Sequence, residues 1–151
     1  MKRSILIAGL IGAILFSSAL VCSAASPDDA KALAQKALAF YKANGKDKAI
    51  AAFQDPKGEF VKGDMYVVIQ GFDGIVVANG GNPKLRGLNH FDLKDPSGKF
   101  FVQEMIQVAK KGGGWFTYQW VNPVTKKVGT KKAWIQKIEG TESCINVGVF
   151  E

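Results

Sequence analysis

The side chains best suited to contacting a ligand lie on a short alternating segment in the C-terminal third of the chain. Phe116, Tyr118 and Trp120 occur at every second position, so a β-strand would place all three rings on one face. Such a face can wall a pocket, with the tyrosine hydroxyl and the indole N–H as hydrogen-bond donors. Ordinary core packing is the alternative role for the same rings.

Two adjacent lysines, Lys131 and Lys132, flank a later predicted strand that also carries Trp134. Successive side chains of a strand point to opposite faces, so at most one of the two lysines faces inward. An inward lysine can bind a carboxylate through a charge-assisted hydrogen bond, whereas an outward lysine is simply solvated.

Tyr66 and Asn79 lie on or beside a predicted hairpin near the middle of the chain. Asn79 can hydrogen-bond a ligand or, equally, the backbone of its own loop. Arg86 can grip a carboxylate with two hydrogen bonds, but we expect it at the surface.

No residue spacing is typical of a catalytic, metal or nucleotide site. His90 is the only histidine, and one histidine makes neither a zinc site nor a triad, so we expect a partly exposed loop residue. The stretch Gly80–Gly87 lacks the spacing of a phosphate-binding loop. Asp92 and Glu104 have no partner carboxylate, and Asp95 is expected to cap a helix. We therefore predict no catalytic residues, metal or cofactor.

The first 25 residues have the pattern of a secretory signal peptide. Lys2 and Arg3 precede an apolar run from Ile5 to Val21, and Ser23-Ala24-Ala25 supplies small residues for cleavage. We expect cleavage and a periplasmic or secreted protein; a membrane anchor over residues 4–21 is the alternative.

The remaining residues, 26–151, fit one domain of typical size. The net charge of +7 comes from scattered lysines rather than one dense basic stripe, and together with export this argues against binding to nucleic acid. Cys144 is the one cysteine beyond the signal segment, so no internal disulfide forms, and we expect a buried thiol.

Hydrophobic periodicity predicts two helices, a hairpin, a third helix and then three strands. Ser26-Pro27-Asp28-Asp29 is typical of a helix start, and Asp73-Gly74 of a hairpin turn. The third helix is expected to begin after Asp95-Pro96. This order predicts an α+β domain with a long N-terminal helix packed on a five-stranded antiparallel PAS-like sheet. The predicted helices run from the Ser26 cap to Asn44, over residues 46–54, and from after Asp95-Pro96 to the triple glycine that begins at Gly112. The predicted strands cover residues 65–70, 75–78, 115–121, 131–138 and 144–150.

Several short motifs, in their order and spacing, resemble the single Cache domain of type 2 over residues 28–151. The motifs are Tyr66-Val67-Val68, Asp73-Gly74, Asp92-Leu93-Lys94-Asp95-Pro96, Lys110-Lys111-Gly112-Gly113-Gly114-Trp115 and Tyr118-x-Trp120-x-Asn122-Pro123. The sequence departs from the family at Asn79-Gly80, where His-Pro is frequent, and at Phe150, where a tyrosine is common.

The resemblance implies an extracytoplasmic sensor domain that binds a small molecule, such as a short carboxylate, without catalysis. The family pattern selects Lys131, three residues before the strand aromatic, and favours a pocket role for Tyr118 and Trp120. The predicted ligand-binding residues are Tyr66, Asn79, Tyr118, Trp120, Lys131 and Trp134.

The resemblance also implies a membrane sensor or chemoreceptor as the partner. Because the chain ends at Glu151, directly after the last predicted strand, we expect a stand-alone Cache protein. The alternative function is a protein-interaction subunit of such a system with no ligand of its own, or a homodimer formed through the N-terminal helix.

Overall fold

A computed structural model describes residues 25–151 of the chain. The predicted signal peptide therefore lies outside the described residues, apart from Ala25. Within the described part, no helix is both long enough and apolar enough to cross a bilayer. In chain order the elements are α1 (Pro27–Asn44), α2 (Lys46–Gln54), β1 (Val61–Lys62), β2 (Met65–Gly71), β3 (Val76–Asn79), α3 (Phe101–Lys110), β4 (Gly114–Val121), β5 (Val128–Lys137) and β6 (Ser143–Phe150), with a 3₁₀ turn at Pro83–Leu85.

Helix α1 begins where its capping residues predict. The Ser26 hydroxyl accepts a hydrogen bond from the Asp29 N–H, and the Asp29 carboxylate accepts one from the Ser26 N–H, which makes a capping box. The helix ends at Gly45, whose φ of 79° lets its N–H return to the Tyr41 carbonyl. The buried face has the predicted spacing of three and four residues: Ala30, Leu33, Ala34, Ala37 and Leu38.

All strands pair antiparallel, in the order β1-β2-β6-β5-β4, and β3 also pairs with β2. Strands β1 and β3 pair with different parts of β2, so they occupy the same edge of the sheet. The predicted architecture is confirmed, with six strands rather than five. The sequence did not reveal β1, because its two residues, Val61 and Lys62, are too few to show an alternation.

The sheet separates two apolar cores. Helices α1 and α2 pack on one face against Met65, Val67 and Ile69 of β2. Helix α3 packs on the other face against β4 and β5, where Phe116 and Ala133 lie. The alternation of β2 therefore points Tyr66, Val68 and Gln70 toward the side that α3 covers.

The start of α3 differs from the prediction. The helix begins at Phe101, and Asp95 does not cap it. Instead the Asp95 carboxylate accepts hydrogen bonds from the backbone N–H of Ser97, Lys99 and Gln119 and from the Ser97 hydroxyl. Burial alone would raise the pKa of Asp95, but these four bonds outweigh it and lower the pKa to about 2. Asp95 thus ties the turn before α3 to strand β4.

Candidate functional site

A small cavity lies between the sheet and helix α3. Its volume is about 30 Å³, which is room for roughly one or two water molecules. The lining combines aromatic, apolar and hydrogen-bonding side chains from four strands, α3 and the loop after β3. They are Tyr66, Val68, Gln70, Val76, Asn79, His90, Phe101, Met105, Tyr118, Trp120 and Asn146.

Strand β4 supplies the aromatic wall that its alternation predicts. Phe116 and Tyr118 are buried on the α3 side, and Trp120 is half-buried beside them. The Phe101 ring stacks on Tyr118 with ring centroids 5.0 Å apart, and it meets Trp120 at 5.3 Å. Tyr118 and Trp120 therefore pack in the core and also line the cavity, whereas Phe116 packs in the core only.

Lys131 is fully buried on β5, with 0% of its surface exposed. Its Nζ has no hydrogen-bond partner among the described residues. Instead the Nζ lies 3.6 Å from the centroid of the Tyr66 ring and 5.2 Å from that of Phe150. Burial lowers the pKa of Lys131 to about 7, and the charge of the nearby Asp64 opposes this shift. The Asp64 carboxylate itself accepts a hydrogen bond from Asn122 at 2.8 Å.

Lys131 itself is not among the residues that line the cavity. Its Nζ contacts the ring of Tyr66, which does line the cavity, so Tyr66 connects the two. Burial raises the pKa of Tyr66, and a hydrogen bond with Trp120 opposes the increase. The ring packs closely on Gly81, where an added Cβ would lie only 2.6 Å from two ring carbons. A side chain at position 81 would therefore push the Tyr66 ring out of place.

Asn79 borders the cavity but is engaged by its own loop. Its side-chain oxygen accepts hydrogen bonds from the N–H groups of Gly81 and Asn82, at 3.0 and 2.9 Å. Its backbone N–H donates to Gln54. These bonds correspond to the loop-supporting role that the sequence left as one of two alternatives.

Trp134 does not line this cavity. It lies on the opposite face of the sheet, 5.2 Å from the Trp115 ring and under the Lys31 ammonium. Lys131 and Trp134 are three residues apart on one strand, so alternation itself puts them on different faces. The structure therefore does not bring Trp134 together with Lys131 and the cavity residues. Lys132 also lies away from the cavity, with its Nζ 5.4 Å from the Trp115 ring.

The structure adds polar residues that the sequence analysis did not select. The Asn146 side-chain NH₂ donates to the Met105 sulfur at 3.3 Å, and its oxygen has no partner among the described residues. Gln70 donates to the Ile75 carbonyl at 3.0 Å. His90 is half-buried, its ring is 6.2 Å from Trp120, and burial lowers its pKa. The sequence offered one signal for Asn146, because it is a polar residue inside the apolar strand β6. No feature of the sequence places His90 at the cavity.

A larger open groove of about 740 Å³ runs between α1 and the turn before β2. It borders Ala25, the first described residue, and its rim includes the exposed side chains of Asp29, Lys36 and Lys62. The smaller cavity is the better candidate site, because it holds convergent buried polar groups that the groove lacks.

Comparison with known proteins identifies the fold and the family. The sequence model of the single Cache domain 2 family matches residues 20–151. The chain belongs to this family. Cache domains are sensor modules of chemoreceptors and sensor kinases, and the predicted PAS-like sensor fold is confirmed.

Among solved structures, this Cache domain resembles a methyl-accepting chemotaxis protein from Vibrio parahaemolyticus, with a TM-score of 0.71 and 20% identity over 82% of this chain and 86% of that one. It also resembles a Cache chemosensory domain described for carboxylic acid recognition, with a TM-score of 0.62 and 22% identity over 82% and 86% of the two chains. These likenesses show the shared fold.

Among curated proteins, the domain is 29% identical over 87 residues to the sensor histidine kinase MctS of Rhizobium johnstonii. The match covers 58% of this chain and 19% of the kinase. The chain therefore spans a small part of that relative.

Proposed function

We propose that this Cache domain senses a small organic anion, such as a short carboxylate, at the cavity beneath α3. The observation that carries the proposal is the buried Nζ of Lys131, which lacks a partner among the described residues. Lysine is rarely fully buried unless it is paired, and an unpaired buried charge is strongly unfavourable. A carboxylate would supply the missing partner through a charge-assisted hydrogen bond.

The groups around the cavity suit an anion. Tyr66 and Tyr118 carry hydroxyl donors, Trp120 carries an indole N–H, and His90 adds an imidazole at the edge. Burial in this low-dielectric region strengthens each hydrogen bond to a charged ligand. The carboxylic acid recognition attributed to one structural relative supports the same ligand class.

The cavity must enlarge to accept such a ligand, because about 30 Å³ does not hold even a small carboxylate. Met105 of α3 is the lining side chain that can adapt most easily, since methionine is unbranched and flexible and its terminal methyl group can rotate while the sulfur keeps the hydrogen bond from Asn146. We propose that the described structure is the closed state and that the ligand favours a more open one. A ligand that binds the open state better shifts the population toward it, which is the basis of a signal.

We further propose that the domain works outside the cytoplasm, with a membrane sensor kinase or chemoreceptor as the partner that receives the signal. The predicted signal peptide and the sensor kinase relative support this. The domain is proposed to have no chemistry of its own. Within residues 25–151, no group of three or more His, Cys, Asp or Glu side chains is placed to hold a metal ion.

The test is calorimetry of the purified protein with acetate, propionate, butyrate and pyruvate, with propionamide as a neutral match for propionate. We expect at least one carboxylate to bind and propionamide not to bind. Lys131→Met should abolish binding, whereas Lys132→Met, one residue away on the other face, should retain it.

A second function, the interaction subunit with no ligand, draws support from the small cavity volume. If every carboxylate fails to bind folded protein, the sensing proposal is wrong and this second function takes its place.

A further inference from the structure

We infer that the ligand carries a hydrogen-bond donor at the end remote from its anionic group, and that the side-chain oxygen of Asn146 accepts this hydrogen bond. The inference rests on the proposed function, because it specifies the ligand class of the same cavity. The observation that carries it is a second buried polar atom with no partner in the described part of the chain, and this atom is independent of Lys131.

Asn146 is a polar residue in the middle of a buried apolar strand. It is only 2% exposed, and it lines the cavity. Its NH₂ group donates to the Met105 sulfur, and because a thioether can only accept, the amide oxygen is the atom left for the cavity. That oxygen is buried and has no partner in residues 25–151. A buried acceptor left unpaired is costly, so a ligand donor would satisfy it.

Asn146 lines the cavity, whereas Lys131 lies outside its lining and contacts the lining residue Tyr66. Asn146 pairs with Val68 and Ile135, whereas Lys131 pairs with Tyr118 and with residue 150, four positions further along β6. Four residues of a strand extend about 13 Å. The lysine side chain shortens this separation, since its Nζ lies over the Tyr66 ring, and we expect the two polar atoms to contact a ligand at different ends. The ligand donor is therefore separated from the carboxylate by the length of a short carbon chain.

The cavity has room for a water molecule that can hydrogen-bond to the Asn146 oxygen. A ligand whose far end is apolar would displace this water without replacing its hydrogen bond, which lowers affinity. A ligand ending in a hydroxyl would replace it. The site should thus prefer a hydroxy acid over an alkyl acid of the same size.

The experiment compares ligands that differ only by a terminal methyl or hydroxyl. The pairs are butyrate against 3-hydroxypropionate, and valerate against 4-hydroxybutyrate, each titrated into the wild-type protein and into Asn146→Leu. In the wild type we expect the hydroxy acid of at least one pair to bind roughly tenfold more tightly or better. Asn146→Leu should abolish or reverse that preference while the alkyl acid still binds, because Lys131 is intact.

Equal affinity for both members of each pair in the wild type overturns this inference and leaves the sensing proposal standing. A hydroxyl preference that persists in folded Asn146→Leu overturns the role of Asn146. If neither member of either pair binds folded wild-type protein, this inference is overturned, and the sensing proposal is then decided by the titrations with acetate, propionate and pyruvate. If Asn146→Leu does not fold, the comparison of alkyl and hydroxy acids on the wild-type protein alone decides the ligand class.

Discussion

The Nζ atom of Lys131 lies 3.6 Å from the centroid of the Tyr66 ring, and both side chains are buried. A cation over an aromatic face gains some energy, but less than a buried ammonium loses on leaving water. The pair is therefore a poor way to stabilise the sheet. Local violations of folding rules of this kind are expected at functional sites.

The first prediction is that replacing this lysine stabilises the empty protein. The pKa of Lys131 is about 7 when folded and near 10.4 in an unfolded chain, so between these values the unfolded state binds more protons. Wild-type stability consequently rises with pH across that window, and the destabilising effect of Lys131 is largest below pH 7. Lys131→Met should raise the free energy of unfolding at pH 6 by roughly 1–4 kcal/mol. The gain should shrink toward pH 10.

Urea unfolding monitored by circular dichroism at pH 6 and pH 9 measures this effect. The control is Lys132→Met, which lies on the other face and should change stability by no more than about 0.5 kcal/mol. A Lys131→Met protein that is less stable than the wild type at pH 6 would show that the buried ammonium is structural.

The second prediction concerns tryptophan fluorescence. Trp120 borders the cavity, whereas Trp115 and Trp134 pack against each other on the opposite face of the sheet. A bound carboxylate should therefore change the emission of Trp120 and leave the other pair unaffected. The ligand-induced change should vanish in Trp120→Phe and persist in Trp134→Phe. Persistence in Trp120→Phe would mean that the ligand binds elsewhere.

The third prediction concerns Asp95, which ties the turn before α3 to β4. Asp95→Asn weakens the four hydrogen bonds to its carboxylate, so we expect a loss of about 1–3 kcal/mol in thermal or urea unfolding at pH 7. The folded pKa of about 2 lies below the ordinary aspartate pKa of 3.8, so the carboxylate's contribution to stability is present above pH 4 and is lost on acidification toward pH 2.

The difference in unfolding free energy between Asp95→Asn and the wild type should accordingly become smaller in acid. Asp92→Asn is the matched control, since Asp92 is exposed and accepts a single side-chain hydrogen bond from Gln103. An equal effect of the two substitutions would contradict the role of Asp95.

Most of the fold could be predicted, because its signals are local. The capping box at Ser26 and the alternation from Met65 fix α1 and β2 without any tertiary contact. The start of α3 could not be predicted from local sequence signals in the same way. The segment from Asp95 to Lys99 looks like a helix cap in sequence, but the carboxylate bonds across to Gln119 of β4, which only the tertiary structure shows.

The candidate site was less predictable than the fold. Strand alternation places Tyr118 and Trp120 on one face, and the family pattern selects Lys131, but alternation also excludes Trp134. Asn146 and His90 come from separate elements and meet the others only after folding, so no sequence period connects them.

The measurement that tests the central claim most directly is the affinity of a bound carboxylate at pH 6 and pH 8. With a pKa of about 7, Lys131 is mostly charged at pH 6 and mostly neutral at pH 8. Short carboxylates stay ionised at both values, and burial lowers the pKa of His90, which reduces the contribution of that ring to a pH effect in this range. Calorimetry should show a dissociation constant about tenfold higher at pH 8 than at pH 6. An affinity that is the same at the two pH values would contradict the assignment of Lys131 as the group that receives the anion.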